Sequence, residues 1–428
     1  MLGRTKRSPT APLPAGDVQQ GAVRSRVGDE PAKVYRAGES FFEEPGAHHP
    51  ISENASDSEA ARLLAVFIVE AGDKPLAVPD PAAATTPSFQ VGRRGNRRQK
   101  EQSMAPEFPD SDAARATMMA WRVHAFGPPT VMSFESVPRP DPGEGEVLVR
   151  VHAAGVGPWD GWIRAGRSVL PQPLPLTLGS DLSGVVEAVG PGITGFAAGD
   201  EVFGLTNSRF VGAYAEYAVA SAAMLAGKPR SLTHVQTASV PVIAATAWQG
   251  LFEQARLQSG QTVLIHGAAG NVGAYAVQLA RRAGFHTIAT AGADDLAYVR
   301  SLGAEQVVDY RAQRFEDEMC GVDAVLDLVG GETQTRSFKV LRRGGRLVSA
   351  VSQPDQARAE QHGVRAEFFL VRVTNEHLSP LAALLEGGEL TTRVGAVLPL
   401  ARAREAHLML EGEQAAPKGK IVLEVLPD

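Results

Sequence analysis

The sequence has a single cysteine, Cys320, among its 428 residues. A disulfide within one chain and a zinc site built from several cysteines are therefore both excluded. Long apolar runs are also missing, since none approaches the roughly 20 residues that a membrane-spanning helix needs. The basic residues at the start of the chain are not followed by the apolar segment of a secretory signal. We therefore expect a cytoplasmic protein with no membrane partner.

An excess of positive charge is lacking as well. The formal net charge is −6 and the isoelectric point is near 6.0. Nucleic-acid-binding domains are typically basic, so no nucleic-acid partner is expected. One basic run, residues 93–100, would suit a nucleic-acid or membrane tether, but a solvated disordered segment is the commoner meaning of such a run.

The first part of the chain, residues 1–117, has little sustained periodicity, and only residues 58–71 allow a short helix. Its high content of Pro, Ala, Gly, Ser and charged residues predicts a disordered tail or an over-extended gene start. Strand patterns begin directly after Met118 and Met119, and we expect one of these two residues to be the natural start.

The remainder predicts an α/β fold of two domains. Residues 118–240 contain short apolar strands separated by Gly and Pro, which predicts a β domain, completed by about residues 395–428. Residues 241–394 alternate strands with helices, which predicts a Rossmann-type, doubly wound parallel sheet. The predicted strands of this sheet are residues 262–266, 287–291, 306–310, 324–329, 346–350 and 366–371, and the predicted helices include residues 272–283, 295–302 and 333–341.

A strand, a glycine turn and an apolar helix follow one another in residues 261–284. Gly267 suits the sharp turn, Gly270 lets the backbone approach a pyrophosphate, and Gly273 lets the helix pack on the strand. The N-terminus of the helix then favours anionic phosphates. The spacing is G-x-x-G-x-x-G, so a glycine-rich packing turn without a ligand is the alternative.

The next predicted strand ends at Ala291 without a carboxylate at its tip. NAD sites place an Asp or Glu at this point to bind the ribose hydroxyls, so the sequence favours NADP(H). Thr290, Tyr310 and Arg311 are the candidate partners of the 2′-phosphate. Asp294 and Asp295 follow closely, and we interpret them as complementing a helix dipole.

Several motifs occur in one order over residues 119–426: residues 145–160 (GEVLVRVHAAGVGPWD), 178–184 (LGSDLSG), 199–203 (GDEVF), 213–217 (AYAEY), the glycine turn, and 419–422 (GKIV). In these motifs the chain resembles the zinc-free quinone oxidoreductase (zeta-crystallin-like) branch of the medium-chain dehydrogenase/reductase superfamily. The resemblance implies a GroES-like β domain beside a Rossmann NADP-binding domain, an active site in the cleft between them, and a homodimer.

The resemblance also bears on metal. Zinc-dependent relatives have a Cys at the position of Gly157, a His at that of Ser180, and a third ligand that has no counterpart near residues 244–245. Glycine and serine do not coordinate zinc usefully, so no metal is expected. Many zinc-free members have Asn at the position of Gly157, and that contact is missing here.

The resemblance implies hydride transfer from NADPH to a quinone or conjugated carbonyl, because conjugation spreads the charge that hydride addition creates. An enone, alkenal or enoyl-thioester double-bond reductase and a non-catalytic NADPH-binding protein are the alternatives. Asp160 and Lys420 are weak catalytic candidates, with a helix cap and a strand residue as their other interpretations. Trp159, Trp162 and Phe369 are expected to line the substrate pocket. The expected cofactor-binding residues are Thr246, Gly267, Ala269, Gly270, Asn271, Val272, Gly273, Thr290, Tyr310, Arg311, Val329 and Gly330.

Overall fold

The computed structural model describes residues 16–20, 22–26, 33–36, 40–41, 51–54, 62–65 and 116–427. The chain divides into two compact units, residues 1–107 and 108–428. The described residues of the first unit form six short strands, β1 to β6: Gly16–Gln20, Ala22–Arg26, Lys33–Arg36, Ser40–Phe41, Ile51–Asn54 and Arg62–Ala65. They form two antiparallel sheets with strand orders β4-β1-β6 and β3-β2-β5.

These strands lie within the segment expected to be a disordered tail. Strand β6 falls inside residues 58–71, where the sequence allowed a helix, so the helix interpretation was wrong there. The rest of that segment, with the basic run at residues 93–100, lies outside the described residues, and the expectation of disorder stays a prediction for it.

The second unit begins with a β-rich part. Its strands, β7 to β14, are Thr117–Val123, Met132–Pro138, Glu146–Val156, Leu176–Thr177, Asp181–Val189, Glu201–Leu205, Tyr217–Ser221 and Leu225–Gly227. Two short α-helices accompany them, α1 at Pro158–Arg164 and α2 at His234–Ala238, with 3₁₀ turns at Pro129–Val131 and Ala222–Met224. Helix α2 begins with a capping box between Thr233 and Gln236, which satisfies two N-terminal N–H groups.

The chain then alternates helices and strands. Strands β15 to β20 are Thr262–Ile265, His286–Ala291, Gln306–Asp309, Val322–Asp327, Leu341–Ser349 and Arg365–Phe368. Helices α3 to α9 are Pro241–Trp248, Asn271–Arg282, Leu296–Leu302, Phe315–Glu318, Gly331–Ser337, Gln356–His362 and Asn375–Glu386. A π-helical turn follows α3 at Gln249–Gln254, and a 3₁₀ turn precedes α5 at Ala293–Asp295.

The last elements are strand β21 at Val394–Pro399, a 3₁₀ turn at Leu400–Arg402, helix α10 at Ala403–Leu410 and strand β22 at Lys420–Glu424. Strand β22 pairs antiparallel with β9, so the end of the chain joins the sheet of the β-rich part. The resulting seven-stranded sheet has the order β14-β12-β11-β9-β22-β21, with β13 also pairing with β9, and a separate three-stranded sheet has the order β10-β7-β8.

The parallel sheet has the order β17-β16-β15-β18-β19-β20. The expected doubly wound fold is therefore confirmed, with the chain moving outward from β15 to β17 and then crossing to β18 on the other side of β15. One large hydrophobic core covers this sheet and a second fills the seven-stranded sheet. Within the described part of the chain, the helices are all too short or too polar to cross a membrane.

Candidate active site

The centre of the parallel sheet is where the chain reverses direction. Strands β15 and β18 lie side by side, and the loops that follow them at their carboxyl ends lead to α4 and α7. Ligands of open α/β sheets bind in the crevice at such a switch point. A Cβ placed on Gly267, after β15, would lie 3.3 Å from Cγ2 of Val329, after β18. The structure thus brings the glycine turn and Val329 together at this crevice.

The three glycines of the turn differ in what requires them. Gly267 has a φ of +67°, which favours glycine, and a Cβ on Gly273 would lie 2.3 Å from the carbonyl oxygen of Gly267. Gly270 caps α4 with φ −75° and ψ 172°, and among the described residues a Cβ there would meet only the Gly267 carbonyl oxygen, at 3.2 Å. Turn geometry and helix packing explain Gly267 and Gly273, while the bare backbone at Gly270 suits a group that approaches from outside.

A buried histidine lies beneath the turn. Nδ1 of His266 is 3.0 Å from Oγ1 of Thr290, and Nε2 is 3.0 Å from Oγ of Ser337. Burial lowers the pKa of His266 to about 4, so the ring is neutral at physiological pH. Since Thr290 is buried and its hydroxyl faces His266, the structure places this candidate under the crevice rather than at its surface.

The tip of β16 lies next to two side chains of the loop that follows β17. A Cβ on Gly292 would lie 3.8 Å from the Tyr310 ring and 3.9 Å from the guanidinium carbon of Arg311. Tyr310 is half exposed. Asp294 and Asp295 follow the tip, and Asp295 is paired with Nζ of Lys418 at 2.8 Å. A ligand at the strand tip would therefore approach Gly292 next to the Arg311 guanidinium, and Lys418 neutralises the charge of Asp295.

The loop after β18 is organised by a buried carboxylate. Asp327 accepts hydrogen bonds from the N–H groups of Val329, at 3.0 Å, and Gly330, at 2.8 Å. It also accepts from Gln334 and Ser349, each at 2.9 Å. Val329 remains half exposed beside the glycine turn. This network fixes the backbone of the crevice wall on which Val329 and Gly330 lie.

The remaining cofactor candidates belong to α3 and to the turn before and within α4. Ala269, Gly270 and Asn271 line a small cavity shared with Ile243 of α3, and Val272 packs against the main core. Thr246 is buried and its hydroxyl donates to the Val242 carbonyl oxygen at 2.7 Å within α3. The Thr246 hydroxyl is thus already bonded within its own helix.

Two of the predicted pocket residues have unlike environments. Phe369 follows β20 and is buried in the core of the parallel sheet, where a Cβ on Gly250 would lie 3.6 Å from its ring. Trp162 is half exposed on α1. The predicted strand over residues 366–371 ends at Phe368, so its last residues are loop.

The indole of Trp159 occupies the space beside Gly157 and Ser180. A Cβ on Gly157 would lie 2.3 Å from Cη2 of Trp159. Nε1 of Trp159 donates to Oγ of buried Ser180 at 2.9 Å. Trp159 packs against both hydrophobic cores, which places it where the two sheets meet.

Lys420 and Asp181 form a buried ion pair under this indole. Nζ of Lys420 lies 3.0 Å from Oδ2 of Asp181 and 4.3 Å from the centroid of the Trp159 ring. Oδ1 of Asp181 accepts from the Val242 N–H at 3.2 Å. Burial raises the pKa of Asp181, and the Lys420 ammonium opposes that rise. Both charges are buried and the indole lies over the ammonium, so the structure gives Lys420 a structural partner in Asp181.

Asp160 is also fully buried. Its Oδ2 accepts from the N–H of Gly157 at 2.8 Å and from the hydroxyl of Tyr214 at 3.0 Å. Burial raises the pKa of Asp160 to about 7 against these hydrogen bonds. The carboxyl thus caps α1 and fixes the loop that carries Trp159, which is the helix-cap interpretation of this residue.

Tyr214 and Asp181 are site residues that the sequence did not single out. Asp181 lies within the motif LGSDLSG, but its partner Lys420 is 239 residues away.

Among the described residues, no group of three or more His, Cys, Asp or Glu side chains is placed to hold a metal ion. Cys320 is exposed.

Two family models match the chain. The alcohol dehydrogenase GroES-like domain matches residues 143–230, and the model described as zinc-binding dehydrogenase matches residues 302–423. Among curated proteins, the pig quinone oxidoreductase is 34% identical over 324 residues, which cover 72% of this chain and 97% of the pig protein. The tomato 2-methylene-furan-3-one reductase is 32% identical over 340 residues, covering 76% of this chain and 84% of that enzyme.

Solved structures give the same result. The quinone oxidoreductase of Coxiella burnetii is 34% identical with a TM-score of 0.67, covering 72% of this chain and all of the other. A mycobacterial protein solved in complex with NADPH is 32% identical with a TM-score of 0.63 and the same coverage. Sequence and fold similarity therefore extend together over the part of the chain that carries the crevice.

Proposed function

The chain belongs to the quinone oxidoreductase (zeta-crystallin-like) branch of the medium-chain dehydrogenase/reductase superfamily, and from this premise we propose that it is an NADPH-dependent, zinc-independent reductase of quinones or conjugated carbonyls. The observation that carries the proposal is the crevice at the β15–β18 switch point, with bare backbone at Gly270 and Arg311 beside Gly292. A crevice of this kind fits the pyrophosphate and the 2′-phosphate of NADPH.

The residues present fit the cofactor. The N-terminus of α4, with Ala269, Gly270 and Asn271, would bind the pyrophosphate through backbone N–H groups, as Gly267 and Gly273 hold the turn in shape. Arg311 and Tyr310 would hold the 2′-phosphate, and Lys418 keeps Asp295 from repelling it. When bound, the nicotinamide supplies the hydride.

The side chains around Trp159 would hold the acceptor site in a fixed geometry and keep water out of it. The indole packs against both hydrophobic cores, and we expect this packing to keep water away from the reacting groups. Asp160 holds the loop of Gly157 and Trp159 in place, and the Lys420–Asp181 pair supports the ring from below. Val329 and Gly330 lie beside the glycine turn on a backbone fixed by Asp327.

Zinc independence is supported by the donor set. The positions of two zinc ligands in related enzymes hold Gly157 and Ser180, and the indole of Trp159 fills the space next to both. Neither residue offers a zinc donor of the usual kind. An acceptor that needs no metal to polarise it, such as a quinone or an enone, suits this arrangement.

A double-bond reductase of enones or alkenals is the second candidate, because the similar tomato protein is a 2-methylene-furan-3-one reductase. We also propose a GroES-like domain at residues 118–240 completed by 395–428, a Rossmann domain at 241–394, and a cytoplasmic homodimer. A non-catalytic NADPH-binding protein remains the alternative that predicts binding without turnover.

NADPH oxidation by the full-length protein tests the proposal. We expect turnover with menadione or with trans-2-hexenal, a lower KM for NADPH than for NADH, and no loss of rate after dialysis against a chelator. The relative rates on the two acceptors decide between the two candidates. Tight NADPH binding without turnover on any quinone, alkenal or enoyl-thioester would contradict the enzyme proposal, and chelator-sensitive activity would contradict zinc independence.

A further inference from the structure

The indole of Trp159 packs directly against the backbone of Gly157. The backbone of Gly157 is extended, with φ −130° and ψ 163°, so its conformation does not require glycine. A Cβ there would nevertheless lie 2.3, 2.4 and 2.5 Å from three carbons of the Trp159 six-membered ring. The missing side chain at position 157 therefore makes room for the indole.

The indole is also held on its other sides. Its N–H donates to Ser180, Lys420 lies 4.3 Å from the ring centroid, and the Phe210 ring meets it edge-to-face with 6.4 Å between centroids. Lys420 is itself fixed by Asp181. A side chain with so many partners stays in one orientation, and because Trp159 is half-buried, part of its surface remains open at the junction of the two cores.

We propose that Trp159 determines acceptor choice by forming a fixed, flat wall against which planar fused-ring quinones stack. The proposal rests on the proposed function and names the acceptor class of that same site. Stacked aromatic rings gain affinity beyond their buried area, whereas a short aliphatic enal has no ring to stack. The chain thus favours fused-ring quinones over small alkenals.

The substitution Trp159→Leu tests this with menadione and trans-2-hexenal as acceptors. We expect the KM for menadione to rise about three- to tenfold, which is the range that an aromatic pair contributes, and the KM for hexenal to change less than about twofold. Phe134→Leu is the matched control, because Phe134 stacks on Trp121 in the three-stranded sheet. Equal effects on the two acceptors, or a menadione effect from Trp162→Leu instead, would overturn the assignment.

Two further variants separate stacking from folding. Trp159→Phe keeps a ring without the N–H and should retain most of the preference for menadione. Gly157→Ala should displace the indole and raise the menadione KM as Trp159→Leu does, while the double variant should be no worse than Trp159→Leu alone. Additive effects of the two substitutions would show that the residues act independently and would contradict the proposal.

Calorimetric binding of menadione to the NADP⁺-loaded protein distinguishes failure of this inference from failure of the proposed function. If no acceptor is turned over, the proposed function is wrong, and an unchanged affinity for menadione in Trp159→Leu would then reject the wall as well. If turnover is normal and menadione affinity is unchanged, the inference alone is wrong. A three- to tenfold loss of affinity with normal turnover supports the inference, whereas the same loss without any turnover would show a binding surface that selects no acceptor and would overturn it.

Discussion

The hydroxyl of Tyr214 donates a hydrogen bond to Oδ2 of Asp160 across 3.0 Å, and both residues are fully buried. Burial raises the pKa of Asp160 from 3.8 to about 7. Between these values the folded protein binds more protons at this site than the unfolded chain. The free energy of unfolding therefore falls as pH rises from about 4 to about 7, and the loss stays constant at higher pH.

Asp160→Asn should therefore remove a pH-dependent contribution to stability. We expect the variant to gain in Tm relative to the natural protein as pH rises from 4 to 7, by several degrees, and to keep that gain up to pH 9, because the natural protein must then bury a charge. Thermal unfolding at steps of half a pH unit measures the difference. Parallel Tm curves for the two proteins between pH 4 and 7 would refute the raised pKa.

The features that could be predicted from the sequence are those set by residues close together in the chain. The alternation of strands and helices from β15 to β20 and the glycine turn follow from local periodicity and from the needs of a tight turn, and the structure has them within a few residues. Six helices were not among those predicted, namely α1, α2, α3, α6, α8 and α9. Helix α3 is buried and apolar on nearly all sides, so it lacks the amphipathic pattern that marks a helix in a sequence.

The candidate site was predicted only in part, because side-chain direction depends on distant segments. Thr290 was expected to face a phosphate, but its hydroxyl faces His266 at the end of the neighbouring strand. Lys420 was a weak catalytic candidate, and only the folded chain shows Asp181 and Trp159 covering it. The sequence suggested a lost contact at Gly157, whereas the structure shows the space filled by Trp159.

His407 on α10 should weaken the fold in acid. It is fully buried, neither ring nitrogen has a hydrogen-bond partner among the described residues, and burial followed by the nearby Arg164 lowers its pKa to about 3. As pH falls below 6.5, His407 becomes protonated in the unfolded chain but stays neutral in the folded protein. The free energy of unfolding therefore declines toward pH 3. His407→Leu should raise Tm at pH 5 more than at pH 7.5.

His124→Gln is the control for that measurement, because His124 is exposed and pairs with Glu135 on the surface. It should leave the difference between pH 5 and pH 7.5 nearly unchanged. An equal Tm gain from His407→Leu at both pH values would mean that the pKa of His407 does not differ between the folded and unfolded protein.

Arg311 should set the preference for NADPH. Its guanidinium carbon lies 3.9 Å from the Cβ position of Gly292, at the strand tip where the 2′-phosphate is proposed to bind. Charged hydrogen bonds of this kind are worth about 1.5–3 kcal/mol, so Arg311→Ala should raise the KM for NADPH about tenfold or more and leave that for NADH unchanged. Arg314→Ala is the matched control, because Arg314 is exposed and paired with Glu316. Equal losses with both cofactors would place the 2′-phosphate elsewhere.

Substitutions at Gly270 and at Gly273 should affect cofactor binding and stability to different extents. A Cβ on Gly270 meets one carbonyl oxygen at 3.2 Å, whereas a Cβ on Gly273 would lie 2.3 Å from the same oxygen and 2.6 Å from Cα of Ala268. Gly270→Val should therefore abolish NADPH binding in calorimetry with a Tm loss of only a few degrees, since a β-branched residue is a poor N-cap. Gly273→Ala should cost more stability, because helix α4 must move off its strand. Unchanged NADPH affinity in Gly270→Val would show that the pyrophosphate does not approach this turn.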